Sequence, residues 1–179
     1  MPGRRALCLA VVLALCGSVP GAAQTALRWT EFFPGDGSFA VEFPGTPTVS
    51  AEVKQVGTVR YRETSCFLDL GMQVFAVMIR QYEPGTLPKT PDQAYLVERV
   101  KEFAAGSETK ARTPASRVIS GHPALEAVTD DEAKNIHYLI DVLAVDDRLY
   151  VILSGGPQGH EASADALRFR DSFRLTAAQ

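Results

Sequence analysis

Apolar and polar residues alternate with a period of two along most of the chain, and a period near 3.6 emerges in only two places. Successive side chains of a strand point to opposite faces, so Phe39, Val41 and Phe43 share one side of a strand over 39–43. Before it lie Trp29, Phe32 and Phe33, separated from that strand by Pro34, Gly35, Asp36 and Gly37, a run of turn formers that predicts a hairpin. Pro44 and Pro47 end the second strand by removing backbone donors. Alternation resumes in Val49, Ala51 and Val53 and again in Val59 and Tyr61, with Gly57 as the turn. Cys66–Leu70 and Met72–Ile79 read as two more strands, or one hairpin turning at Gly71. Val74–Ile79 is apolar on both faces, the mark of a central strand covered on both sides. Val118–Ser120, Ala124–Thr129, Asn135–Val145 and Arg148–Ser154 add three or four strands, with Asp146 and Asp147 as a tight turn between the last two.

The clearer helix begins near Thr90. Its side chain is placed to accept from the amide of Gln93, Pro91 is tolerated at the first helical position, and Asp92 complements the positive end of the dipole. Ala94, Leu96, Val97, Val100, Phe103 and Ala104 supply an apolar side, and Gly106 is the expected stop. A second helix is expected over 161–173, with Ala162, Ala166, Leu167, Phe169 and Phe173 facing a sheet.

The N-terminus changes the picture of where this domain works. Arg4 and Arg5, an apolar run from Ala6 to Val19 and the small residues Gly21, Ala22 and Ala23 have the layout of an export signal, with cleavage expected after Ala23. A helix of about fourteen residues is too short to cross roughly 30 Å of hydrocarbon, so the run reads as a transient signal core. Leu13, Ala14 and Leu15 before Cys16 also resemble a lipid-attachment motif, although Leu15 stands where Gly, Ala or Ser is wanted. Residues 1–23 are therefore expected to leave and 24–179 to form one globular domain without a transmembrane anchor, periplasmic or secreted.

With Arg4 and Arg5 gone, sixteen basic residues face twenty-one acidic ones, a net charge of −5. The remaining Lys and Arg are scattered, which argues against a nucleic-acid partner, since phosphate binding needs clustered cations. Cys8 and Cys16 leave with the signal, so Cys66 has no intramolecular disulfide partner and stability must come from a packed core.

Strands joined by short turns cannot pair in parallel, which needs a crossover of a dozen residues or more. The expected fold is α+β: a largely antiparallel β-sheet covered by two main helices, on one face or on both. Phe39-Ala40-Val41-Glu42-Phe43-Pro44-Gly45-Thr46-Pro47, with Trp29 and the Gly35-Asp36-Gly37 turn before it, resembles the opening of a widespread class of uncharacterised small exported bacterial proteins. Arg148-Leu149-Tyr150-Val151, Gly156-Pro157 and Phe169-Arg170-Asp171-Ser172-Phe173 are similar to the closing pattern of that class. The order of elements resembles the domain shared by the photosystem II extrinsic protein PsbP and the Ran-binding protein Mog1, an antiparallel sheet sandwiched by helices. That resemblance implies a binding or assembly module and transfers no functional residue, because the matched positions read as turn and core.

Candidate chemistry is sparse. Cys66 with His122, His137 or His160 would make a nucleophile and base, but a cysteine beside the strand residues Phe67 and Leu68 reads more simply as a buried thiol. The three histidines and one cysteine show no metal-ligand spacing. Asp130, Asp131 and Glu132 form an acidic run that lacks the alternation and central glycine of a calcium loop, and reads as a solvated loop. Ser154-Gly155-Gly156-Pro157-Gln158-Gly159 stands between a strand and a helix, where amides can cradle an anion. It matches no phosphate-loop spacing, and Pro157 removes a donor, so it reads as a plain turn. Ser120-Gly121-His122 is short of a serine elbow and also reads as a turn; Trp29, Phe32 and Phe33 read as a lid on the core.

No catalytic, cofactor-binding or metal residue is assigned on these grounds. The expectation is an exported, non-enzymatic binding or assembly module for an extracytoplasmic protein or small ligand. The alternative is a small-ligand binder or hydrolase with a cleft near the 154–160 turn.

Overall fold

A computed structural model describes residues 27–176. The expected export signal, its cut after Ala23 and the alternative lipid site at Cys16 lie outside the described residues. Among the described residues eleven strands and two α-helices run in the order β1 (Thr30–Phe32), β2 (Phe39–Phe43), β3 (Thr48–Val56), β4 (Val59–Asp69), β5 (Val74–Tyr82), α1 (Gln93–Gly106), β6 (Lys110–Ala111), β7 (Ala115–Ile119), β8 (His122–Asp131), β9 (Ile136–Val145), β10 (Arg148–Pro157), α2 (Ala164–Ser172) and β11 (Arg174–Leu175). The fold is α+β, dominated by a large antiparallel sheet ordered β3-β4-β5-β10-β9-β8-β6, with β7 also paired to β8. Short turns make this meander possible. Gly57 at φ 60 turns β3 into β4, and Ser120 and Gly121 at φ 49 and 83 turn β7 into β8, positive values that suit the right-handed twist of a two-residue hairpin.

A second sheet corrects the expectation of a single one. The β1–β2 hairpin forms as its sequence predicts, but it pairs with the two-residue β11 in a separate three-stranded sheet, β1-β2-β11. Two residues without a sustained alternation carry no strand signal, and only the return of the chain after α2 brings Leu175 opposite Phe39.

The pleat of the large sheet feeds two cores. Phe75, Val77, Leu143, Tyr150 and Ile152 face one side and pack with Phe39, Val41 and Phe43 of β2 and with Phe169 and Phe173 at α2. Ala76, Ile140, Val142, Val151 and Leu153 face the other and pack with Leu96 and Val100 of α1. The first core is built on aromatic pairs: the Phe169 ring lies 5.0 Å from Phe43 and 5.2 Å from Phe75, and Phe39 stacks on Phe173 at 5.4 Å. Such pairs add to the area they bury. Trp29 meets Phe75 edge-on and Phe32 meets Phe43, as a lid on the core requires, but Phe33 is 52% exposed and takes no part in it.

Both helix starts differ from the sequence expectation. The α1 cap is Asp92, whose carboxylate accepts from the Tyr95 amide at 2.7 Å, so Thr90 and Pro91 precede the helix. Gly106 is the last helical residue and not the stop. Instead the Glu108 amide donates to Ala105 and the Thr109 amide to Ala104, with Glu108 itself at φ 55, a Schellman ending carried by a glutamate. The expected helix over 161–173 is split into a 3-10 turn at His160–Ala162 and α2, which Ser163 caps by accepting from the Ala166 amide. Among the described residues no helix is long and apolar enough to cross a membrane.

Candidate functional site

The turns at one end of the sheet frame two confluent pockets. The larger, of about 570 Å³, lies where the β7–β8 and β9–β10 turns meet β11, and its lining includes Ser38, Ser120, His122, Asp147, Tyr150 and Thr176. The smaller, of about 330 Å³, lies over β3, β4 and β5 beneath the β1–β2 loop, between Pro34, Gly35 and Asp36 on one side and Val49, Arg62, Thr64 and Ile79 on the other. Gln81 and Arg148 line both. Such volumes suit small ligands.

Arg148 is held firmly at this divide. Its Nε donates to Gln81 Oε1 at 2.5 Å and its Nη1 to Asp36 Oδ2 at 2.9 Å, while Asp36 also accepts from the amide and hydroxyl of Ser38. Burial alone would raise the Asp36 pKa, but the Ser38 hydrogen bonds and the Arg148 charge outweigh it and hold the carboxylate below its usual range. Gln81 in turn donates to the Asp147 carbonyl, and Asp147 accepts the Gly85 amide on its side chain. The C-terminal strand is tied in as well: Leu175 donates its amide to Ser120 Oγ, and the Thr176 hydroxyl bonds the Gly37 carbonyl. The walls are thus preorganised by a closed polar network. Arg62 contrasts with Arg148: it is exposed, and among the described residues it makes no ion pair.

The structure disperses most of the side chains that the sequence singles out. Cys66 is wholly buried in the first core, and burial, with a smaller push from the Asp36 charge, raises its thiol to about 11. A thiol that stays protonated is a poor nucleophile. Ser120 serves the turn and β11, and His122 lines the larger pocket. His160 is buried edge-on against Phe75, its Nε2 without a partner, and burial lowers its pKa. Asp130 and Asp131 of the acidic run end β8 and only Glu132 lies in the exposed turn that follows, and each carboxylate has its own cation: Asp130 pairs with Arg112, Asp131 with Lys134 and Glu132 with Lys110.

Sequence spacing gives no hint of the cluster around His137. Arg112 grips Asp130 through two bonds, Nε at 2.9 Å and Nη2 at 2.8 Å, and reaches Glu161 at 3.2 Å; His137 Nδ1 lies 2.9 Å from Glu161 and its Nε2 lies 3.5 Å from Asp130. Hydrogen bonds from Arg112 hold Asp130 low; at Glu161 burial pushes upward, but its own backbone amide, the His137 hydrogen bond and the charges of His137 and Arg112 outweigh it and hold the carboxylate low. Both imidazole nitrogens face carboxylates, so the cluster fastens β8 and β9 to the 3-10 turn.

The glycine run is also redefined. Gly155 and Gly156 belong to β10, where a Cβ on Gly155 would overlap the Tyr138 ring and one on Gly156 would come within 2.8 Å of His160. They are glycines so that two rings can lie on the backbone, which leaves their faces covered. A second cluster hidden from sequence spacing joins Arg117 and Arg170 to Glu126, Asp141 and Asp171, with Asp141 Oδ2 2.9 Å from Arg117. Asp141 Oδ1 is buried without a partner, and burial first, then the neighbouring Glu126 charge, against the pull of Arg117, raises this carboxyl to about 7.

The chain matches no family model, and no curated protein is significantly similar to it.

Proposed function

We propose that the protein is an exported, non-enzymatic binding module whose ligand seats in the paired pockets at Arg148, and that the ligand carries an anionic group on an apolar body. The observation that carries this reading is the smaller pocket, where Val49, Ile79 and Pro34 form an apolar wall and Arg62 stands without an ion pair among the described residues. Arg148 and Asp36 neutralise each other there, so the net charge offered to a ligand is that of Arg62. A guanidinium with free donors favours a carboxylate or phosphate, and the apolar wall favours the carbon body behind it.

The Arg-flanked apolar leader supports an extracytoplasmic site of action, and the helix on each face of the sheet agrees with a sandwich of the PsbP and Mog1 kind as the architectural setting. A hydrolase acting at the 154–160 turn is the weaker reading, because Tyr138 and His160 occupy the space over its glycines and the Cys66 thiol is buried.

Thermal unfolding in the presence of acetate, benzoate and octanoate, each against its neutral amide, tests the proposal. Octanoate and benzoate are expected to raise the midpoint more than acetate, the amides to leave it unchanged, and Arg62→Gln to remove the response. Equal shifts for acid and amide, no shift with any acid, or full retention in Arg62→Gln would overturn it.

A further inference from the structure

The two edges of the large sheet are treated differently. At the far edge, pairing on β8 is divided between a two-residue strand and a five-residue strand with Pro114 between them, the kind of interruption that protects a sheet from edge-to-edge association. The near edge is β3, nine unbroken residues without proline and exposed along nearly its whole length, with Val53 at 55% and Val56 at 67%.

We propose that β3 is a self-association surface: two copies of this chain pair their β3 strands antiparallel about a twofold axis at Val53, making one continuous sheet. Three features choose the occupant and the register. First, the free backbone groups fall in the right places. Val56 and Val59 flank a two-residue turn with Gly57 at φ 60 and so form the hydrogen-bonded pair of the hairpin, which by alternation turns the amide and carbonyl of Val53 away from β4. Val53 of one copy then exchanges both bonds with Val53 of the other.

Second, charge selects this register over its neighbours. A twofold axis at Val53 sets Glu52 of each copy opposite Lys54 of the other, twice. Moving the axis by one residue sets Glu52 against Glu52 or Lys54 against Lys54, and like charges directly opposite are unfavourable. Lys54 already bonds Glu52 at 2.8 Å and Glu63 at 2.6 Å, and Arg80 bonds Glu63 at 2.8 Å. An ammonium has three donors, so a ladder of alternating charge that starts at Arg80 inside the sheet continues across the axis. Third, this register brings the Gly57 turn of the second copy opposite Val49, where it extends the open wall of the smaller pocket. The contact is self-complementary, as closed twofold assembly requires.

Sedimentation equilibrium of the purified protein, as its host processes it, supplies the test. Wild type is expected to show a concentration-dependent dimer. Glu52→Lys and Lys54→Glu are each expected to weaken self-association at least tenfold, and an equimolar mixture of the two to recover it, because each acidic edge then meets a basic one. Val53→Pro removes an outward-facing amide and is expected to abolish the dimer while circular dichroism and the unfolding midpoint stay close to wild type, which keeps the test decisive if Lys54→Glu disturbs Glu63. A wild type that stays monomeric throughout, or a dimer that survives Val53→Pro, overturns the proposal.

Discussion

Asp141 is where the structure makes its sharpest demand on stability. Its side chain is fully buried on β9, one oxygen has no partner, and Arg117 and Arg170 face three carboxylates, so the group is balanced only when one of them carries a proton. Burial raises Asp141 from 3.8 to about 7. The native carboxyl therefore keeps its proton through a window, from about 4 to 7, in which the unfolded one has lost it. The native state binds protons better there, and stability falls as pH rises through the window. Three pKa units at 1.36 kcal/mol each set a ceiling of about 4 kcal/mol on the cost of ionising it above pH 7. Asp141→Asn removes the charge and keeps the shape and an acceptor for Arg117, which retains Asp171 at 2.7 Å and Glu126 at 3.6 Å. The new amide inherits the unpartnered position and returns about 1–3 kcal/mol of the gain. The variant is thus expected to be more stable than wild type by about 1–3 kcal/mol near pH 8, with the difference vanishing or reversing near pH 5. Urea unfolding of both proteins at several pH values measures this directly, since titrating groups outside the cluster cancel in the difference. A difference that stays constant from pH 5 to 8 would refute the reasoning.

Further substitutions test local geometry at three places. Asp92→Ala should cost about 1 kcal/mol of stability by urea titration, whereas Thr90→Ala should cost nothing measurable, because only Asp92 caps α1. Glu108→Gly should add up to about 1 kcal/mol, raising the thermal midpoint, because glycine adopts the left-handed ending without strain. Gly155→Ala should lose about 1–3 kcal/mol through overlap with the Tyr138 ring, and Tyr138→Leu in the same chain should restore part of the loss.

The strand run is largely legible in the sequence because alternation is a local signal. The hairpin at Gly71, the turn at Gly57 and the central character of Val74–Ile79 all follow from residues within reach of one another. Boundaries fail where two local chemistries compete. Thr90 and Asp92 are both good caps, and the winner is the one whose carboxylate reaches the Tyr95 amide. Glycines mislead for a related reason: Gly106 looks like a helix stop and Gly155-Gly156 like a loop, yet the first is helical and the second pair lets rings pack on a strand.

Of the candidate site, the sequence shows the turns and singles out Ser120 and His122, but not their assembly into pockets. The lining of its pockets comes from the β1–β2 loop, from β3, β4 and β5, from the last strand and from turns far apart in sequence, and Arg148 finds Asp36 across more than a hundred residues. The same holds for His137 with Asp130 and Glu161, and for Asp141 among its arginines. Period, turn chemistry and composition act over a few residues, and by themselves they determine an antiparallel α+β chain with two covering helices. Which strand lies at an edge, which charge finds a counter-charge and which cavity opens depend on loop closures and packing between distant segments, so those were decided only when the chain folded.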